Sequence, residues 1–284
     1  MDWIDRMNEA IRYIEENLTD RIEYEKLGQI ACCSAYHFQR MFAYIAGVPL
    51  SEYIRRRRMS LAAVDLQGGD AKIIDVAAKY GYSSPTAFNR AFQSVHGVSP
   101  SSVRAEGAAL KSFPPLTIKI VVKGAEEMNY RIETRDAFRV VGRSRPMSRE
   151  IEQNFVEVPM MWQEAVEDGT LERIIPLMDG QPRGILGVCA CGDGEEWRYY
   201  IAAATSAEAG DGLEEYVVPA FTWAVFPGSG TGKSIQELEK RVVTEWLPTS
   251  GYEFCDGPDV EVYFDPDPQD TAFEVWIPVR KRQQ

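Results

Sequence analysis

At 284 residues, 45% hydrophobic and 26% charged, the chain has the composition of ordinary globular protein and the length of about two domains. No apolar run approaches the ~18 residues of a membrane span, and the opening Met1-Asp2-Trp3-Ile4-Asp5 is too acidic for a signal peptide, so a cytoplasmic protein without a membrane partner is expected. The net charge of −12 argues against nucleic acid until it is divided: residues 34–111 carry 10 basic and 5 acidic residues, residues 113–284 carry 17 and 30.

In chain order, the first informative feature is an internal repeat. A shift of 50 residues aligns Ser34 with Ser84, Phe38 with Phe88, Arg40 with Arg90, Phe42 with Phe92, Gly47 with Gly97 and Val48 with Val98. Each copy predicts a short helix, over 24–31 and 73–80, then a break and a serine able to cap a second helix. Pro85 suits the first turn of the later one, and Gly47 and Gly97 suit left-handed helix ends. Phe38, Met41, Phe42 and Ile45 make an apolar stripe, repeated by Phe88, Ala91, Phe92 and Val95. The opposite faces carry Tyr36, Gln39, Arg40 and Ala43, then Thr86, Asn89, Arg90 and Gln93. Arginine can fork onto guanine, and glutamine or asparagine onto adenine, in a major groove, so two helix-turn-helix units are expected.

The stretches "SAYHFQRMFAYIAGVPLSEYIRRRRM" and "IIDVAAKYGYSSPTAFNRAFQSVHGVSPSSVR" strongly resemble the DNA-binding domain of AraC/XylS-type transcription regulators, over about residues 5–108. The second half carries the family's pattern through Ala77, Gly81, Phe88, Arg90, Phe92, Gly97, Pro100 and Arg104. The resemblance implies a bridging helix over 50–66 and DNA contacts from Tyr36, Gln39, Arg40, Thr86, Asn89 and Arg90. Arg55 to Arg58 cannot share one helix face, so they are expected to divide between phosphates and intradomain ion pairs.

Residues 1–112 are thus read as an all-α DNA-binding domain, 113–128 as a linker and 129–284 as an α+β domain. Strands are expected over 132–141, broken near Asp136, and over 184–190, 197–204, 221–226, 260–264 and 273–279, with helices over 150–167 and 234–246. The order is a duplicated strand-helix-strand-strand unit with a cleft where the halves meet. Between 221–226 and the last helix, "GSGTGKS" nearly spells a nucleotide-binding loop. Pro227 stands where the first glycine is needed, and it offers no N–H to a phosphate. A glycine-rich connection with Lys233 in solvent is expected instead.

"EWLPTSGYEFCDGPDVEVYFDPD" and "EVWIPVRK" resemble the gyrase-inhibitor-like effector-binding domain of multidrug-sensing regulators, over about 129–282. Alternation puts Glu261 and Tyr263 on one strand face. The resemblance places a carboxylate at Glu261 among aromatic walls, for which Trp162, Trp223, Tyr263 and Trp276, with Tyr199, are the candidates, meeting a lipophilic or cationic small molecule. Reader before sensor is a Rob-like order. It implies an activator whose partners are double-stranded promoter DNA, a small organic effector and RNA polymerase. Two alternatives stay open: hydrolysis of a reactive small compound with Glu261 as general base, and a protein-binding inhibitor module. The five cysteines and two histidines lack metal-ligand spacing, so no metal or other cofactor is expected.

Overall fold

The structure is a computed structural model of the chain and describes residues 3–68, 71–105, 108–119, 127–192, 196–264 and 271–282. Its N-terminal part is built from α1 (Trp3–Glu16), α2 (Tyr24–Ala31), α3 (Ala35–Ala46), α4 (Leu50–Gln67), α5 (Ile73–Lys79) and α6 (Pro85–His96). The repeat sets the boundaries. Ser34 and Ser84 accept the backbone N–H groups of His37 and Ala87, and Gly47 and Gly97 end the helices at φ 69° and 78°. Nothing crowds the missing Cβ of either glycine, so backbone conformation alone requires them. The arginines of α4 all find intramolecular partners: Arg55 and Arg56 pair with Glu52, Arg57 forks onto Glu15 of α1, and Arg58 donates to the carbonyls of Leu18 and Asp20.

The C-terminal part is a nine-stranded antiparallel sheet with helices. Its strands are β1 (Arg131–Arg135), β2 (Phe138–Pro146), β3 (Ile185–Ala190), β4 (Arg198–Ala204), β5 (Glu214–Val218), β6 (Phe221–Gly230), β7 (Tyr252–Phe254), β8 (Asp259–Tyr263) and β9 (Thr271–Lys281). They run β1-β6-β9-β8-β3-β4-β2-β5, with β7 beside β9. The duplication appears as symmetry about the β3–β8 seam: β3-β4-β2 on one side is matched by β8-β9-β6 on the other. The leading strands are exchanged, since β1 pairs with β6 and β5 with β2. Helices α7 (Ile151–Glu167), α8 (Thr170–Ile174) and α9 (Gly232–Arg241) complete this half.

Some expectations need amending. The break near Asp136 separates two strands with different neighbours, and the helix expected over 234–246 is α9 followed by a π turn, Val242–Trp246. β5 and β7 went unforeseen, because Glu214-Glu215 begins a charged edge strand and β7 is three residues long. Most of the glycine-rich stretch is not a loop: Gly228, Ser229 and Gly230 extend β6 and pair with Phe273, Ala272 and Thr271. A Cβ on Gly228 would lie 2.5 Å from the Phe273 ring, so close ring packing requires this glycine, and Lys233 is exposed. The connection between the strands expected over 184–190 and 197–204 lies partly outside the described residues.

Packing divides the repeat unequally. Met7 of α1, with Phe38 and Phe42 of the first helix-turn-helix, shares one core with Phe226, Trp246 and Ile277 of the C-terminal half. Met59, Phe88 and Phe92 form a core confined to α4, α5, α6 and the segments beside them. The first unit is thereby built into the sheet and its helices, while the second stands by itself.

Candidate functional site

The site begins with strand parity. Asp259, Glu261 and Tyr263 alternate along β8 onto one face, and Glu261 sits opposite Gly187 of β3, at the seam between the halves. A Cβ on Gly187 would collide with the Tyr199 hydroxyl and approach the Glu261 carboxylate to 2.7 Å, so only glycine leaves room for them. The Tyr263 hydroxyl donates to Glu261 Oε2 at 2.8 Å, the Tyr199 hydroxyl donates to the same oxygen at 3.0 Å, and Trp162 Nε1 donates to the Tyr199 oxygen at 2.9 Å. These groups line a cavity of about 490 Å³, within the ordinary range for small-molecule sites. Burial, followed by the charge of Glu239, pushes the Glu261 carboxyl up to about 7, although both tyrosine hydroxyls and Arg40 oppose the rise.

Trp162, Tyr199, Tyr263 and Glu261 of the expected set therefore meet at one cavity. Trp223 and Trp276 do not line it. Trp276 pairs with Val260 on β8 and with Val225 on β6, which puts it on the opposite sheet face, where it packs on Trp223 in a core made of strand residues alone. One residue of register decides the matter, since the neighbour of Glu261 on β9 is Val275. Two buried cavity carboxylates were missed, Asp259 and Glu239. Parity with Glu261 could have found Asp259; nothing local marks Glu239.

The two helices expected to read DNA also differ. Thr86, Asn89 and Arg90 of α6 are exposed. On α3, Tyr36 is 6% exposed, Gln39 3% and the Arg40 side chain 11%. Gln39 donates to the carbonyl of Ala35, and Arg40 ion-pairs with Glu239 and, at 2.7 Å, with Asp259. Of the six residues expected at DNA, those of α6 are open to solvent and those of α3 are covered.

A helix-turn-helix domain model matches residues 27–106, and the model of a GyrI-like small molecule binding domain matches residues 128–280. The HTH-type transcriptional activator AarP of Providencia stuartii is 41% identical over 98 residues, which cover 34% of this chain and 73% of AarP. The transcriptional regulator Rob of Salmonella typhimurium is 31% identical over 120 residues, 42% of each chain. This chain belongs to the AraC family and carries a GyrI-like domain. It is a transcription regulator. A solved structure, SAV2435 bound to tetraphenylphosphonium, superposes with TM-score 0.48 at 21% identity, covering 54% of this chain and 94% of that one.

Contact between the AraC-type helices and the GyrI-like domain is polar as well as apolar. Arg40 lies 5.8 Å from the Tyr36 ring and 5.9 Å from the Tyr44 ring, and the Tyr44 hydroxyl donates to Glu239 at 2.7 Å. His37 Nε2 lies 3.0 Å from Asp259, and its Nδ1 lies 2.8 Å from Ser34 Oγ. Burial acts to raise the Asp259 carboxyl, but His37 and Arg40 outweigh it and hold it below the usual range. Tyr36 packs edge-on against Trp197, with centroids 5.1 Å apart. The GyrI-like domain thus presents two buried carboxylates to the helix expected to read DNA.

Proposed function

We propose that this AraC-family regulator activates transcription in response to a small lipophilic cation bound in the GyrI-like domain. The observation that carries the reading is Glu261, a carboxylate held by two tyrosine hydroxyls at the wall of an aromatic cavity, in the same chain as two helix-turn-helix units. An organic cation brings the one thing such a carboxylate lacks, a counter-charge that does not require water. Trp162, Tyr199 and Tyr263 add ring faces, each worth about 0.5–2 kcal/mol toward a cation. Trp223 and Trp276 remain core residues in this reading. On DNA, α3 and α6 enter adjacent major-groove segments through Tyr36, Gln39 and Arg40, and through Thr86, Asn89 and Arg90. Activation proceeds by contact with RNA polymerase at the promoter.

Two titrations test the halves of this reading. Glu261→Gln is expected to weaken tetraphenylphosphonium binding, followed by tryptophan fluorescence, by about 2–5 kcal/mol, while neutral triphenylphosphine oxide loses much less. Equal affinity of parent and variant for the cation would remove Glu261 as counter-ion, and recovery of the ligand unchanged separates binding from hydrolysis. Arg90→Ala is expected to cost about 1–3 kcal/mol on a selected DNA site and much less on random DNA. Transcription by purified polymerase, with and without the cation, tests activation directly.

A further inference from the structure

The effector cavity is not made by the GyrI-like domain alone. Tyr36, Arg40 and Tyr44, one turn apart on α3, form part of its wall together with Glu261 and Tyr263. Arg40 is a cation that the chain itself supplies to this acidic cavity. It pairs with Glu239 and Asp259, each 5% exposed, and lies between two tyrosine rings, which is the environment an organic cation would seek. The same arginine stands on the face expected to read DNA, as does Tyr36. Its repeat equivalent, Arg90, is exposed.

We infer that Glu239 and Asp259 hold α3 in place of DNA, and that an organic cation in the cavity competes with Arg40 for these carboxylates, favouring the arrangement in which α3 is free to enter the major groove. The inference rests on the proposed effector reading for the identity of the ligand class. Its direction follows from charge. With α3 docked, a cation beside Glu261 shares the cavity with the Arg40 guanidinium and meets like-charge repulsion; with α3 undocked, it has Glu239, Asp259 and Glu261 to itself. A ligand shifts a two-state equilibrium only through such a difference in affinity. A neutral ligand of the same shape lacks the repulsion and keeps the contacts with Tyr36 and Tyr44, so it does not favour release. The docked state also buries apolar surface of α1 to α3. Cation and DNA therefore act together, each raising the affinity of the other by one common factor.

The experiment uses the full chain, a DNA site selected in vitro, tetraphenylphosphonium and triphenylphosphine oxide. Without cation, the footprint should cover the α6 segment alone; saturating cation should extend it to the α3 segment and tighten DNA binding at least tenfold. Triphenylphosphine oxide should change DNA affinity by less than twofold. A Glu239→Gln, Asp259→Asn double variant should bind DNA without cation as tightly as the parent does with it. The inference is overturned if the unliganded parent already protects both segments, or if the cation binds, as read by tryptophan fluorescence, and DNA affinity stays level or falls. It is overturned equally if the folded double variant binds DNA no more tightly than the unliganded parent. Should the double variant not fold, the parent's footprints decide. A cation that fails to bind at all refutes the effector reading instead, and the docking of α3 is then judged by the unliganded footprint and the variant.

Discussion

Glu261 would tie the proposed cation binding to stability through one proton. Its carboxyl is raised to about 7, first by burial and then by Glu239, so at pH 6 the group is mostly neutral in the folded chain, whereas an unfolded chain ionises it near its ordinary value. The folded state then holds the extra proton, and stability is lost as pH rises from the unfolded value through about 7. The loss is on the order of 3 kcal/mol. Glu261→Gln should therefore raise the melting temperature at pH 8 and change it little at pH 4, measured by calorimetry. Cation binding runs the opposite way, because only the carboxylate pairs with it: affinity for tetraphenylphosphonium should climb through pH 7 in the parent and stay flat in Glu261→Gln. A pH-independent parent would mean that Glu261 does not titrate in this range. Gly187→Ala probes the same spot by volume. Its added methyl must displace either the Tyr199 hydroxyl or Glu261, and overpacking of this kind costs about 1–3 kcal/mol. Denaturant unfolding should show that loss, with weakened cation binding in whatever folded protein remains.

At the scale of elements, α3 and α6 make an internal control. Both are twelve residues long, both begin at a capping serine and end at a left-handed glycine, and each carries an arginine at the same repeat position. Arg40→Ala should destabilise the fold by about 3–5 kcal/mol, because it leaves Glu239 and Asp259 buried without their guanidinium partner. Arg90→Ala, on an exposed face, should leave the unfolding midpoint within about 0.5 kcal/mol of the parent. Comparable losses in the two variants would contradict the different packing of the helices. Both polar faces were legible in the sequence as stripes opposite apolar ones. Their different fates were not, because a stripe of Tyr, Gln and Arg suits protein carboxylates and DNA phosphates equally well.

For the whole molecule, the division of cores predicts how it opens. Helices α1 to α3 share apolar packing with β6, β9 and the turn after α9, whereas α5 and α6 pack only on α4 and nearby segments. Native-state hydrogen exchange of the unliganded chain should protect α3 as strongly as β9, and α6 less. If α3 and α6 exchange with equal free energies, the first helix-turn-helix is not held by the GyrI-like domain in solution. The −13 charge of residues 113–284 adds a long-range term, since an acidic body beside DNA opposes binding, and because salt screens that repulsion it should make the fall of affinity with salt shallower than the cationic contacts alone would give.

What the sequence by itself determined is the fifty-residue repeat, legible as identities at a fixed shift, and a set of local features: the serine and glycine caps, the alternation that places Glu261 beside Tyr263, and the order of strands and helices that marks a duplicated half. Each local feature depends on neighbours within a turn or a strand, so periodicity and turn chemistry suffice; the bridging helix came from the family resemblance. The tertiary structure alone decided which tryptophans reach the cavity and which of the two repeat helices, α3 or α6, is covered. Trp276 and Glu261 are separated by one residue of β8–β9 register, and Arg40 meets Glu239 and Asp259 across about two hundred positions of chain. Such pairings are set by the register and packing of distant segments, on which local composition places no constraint.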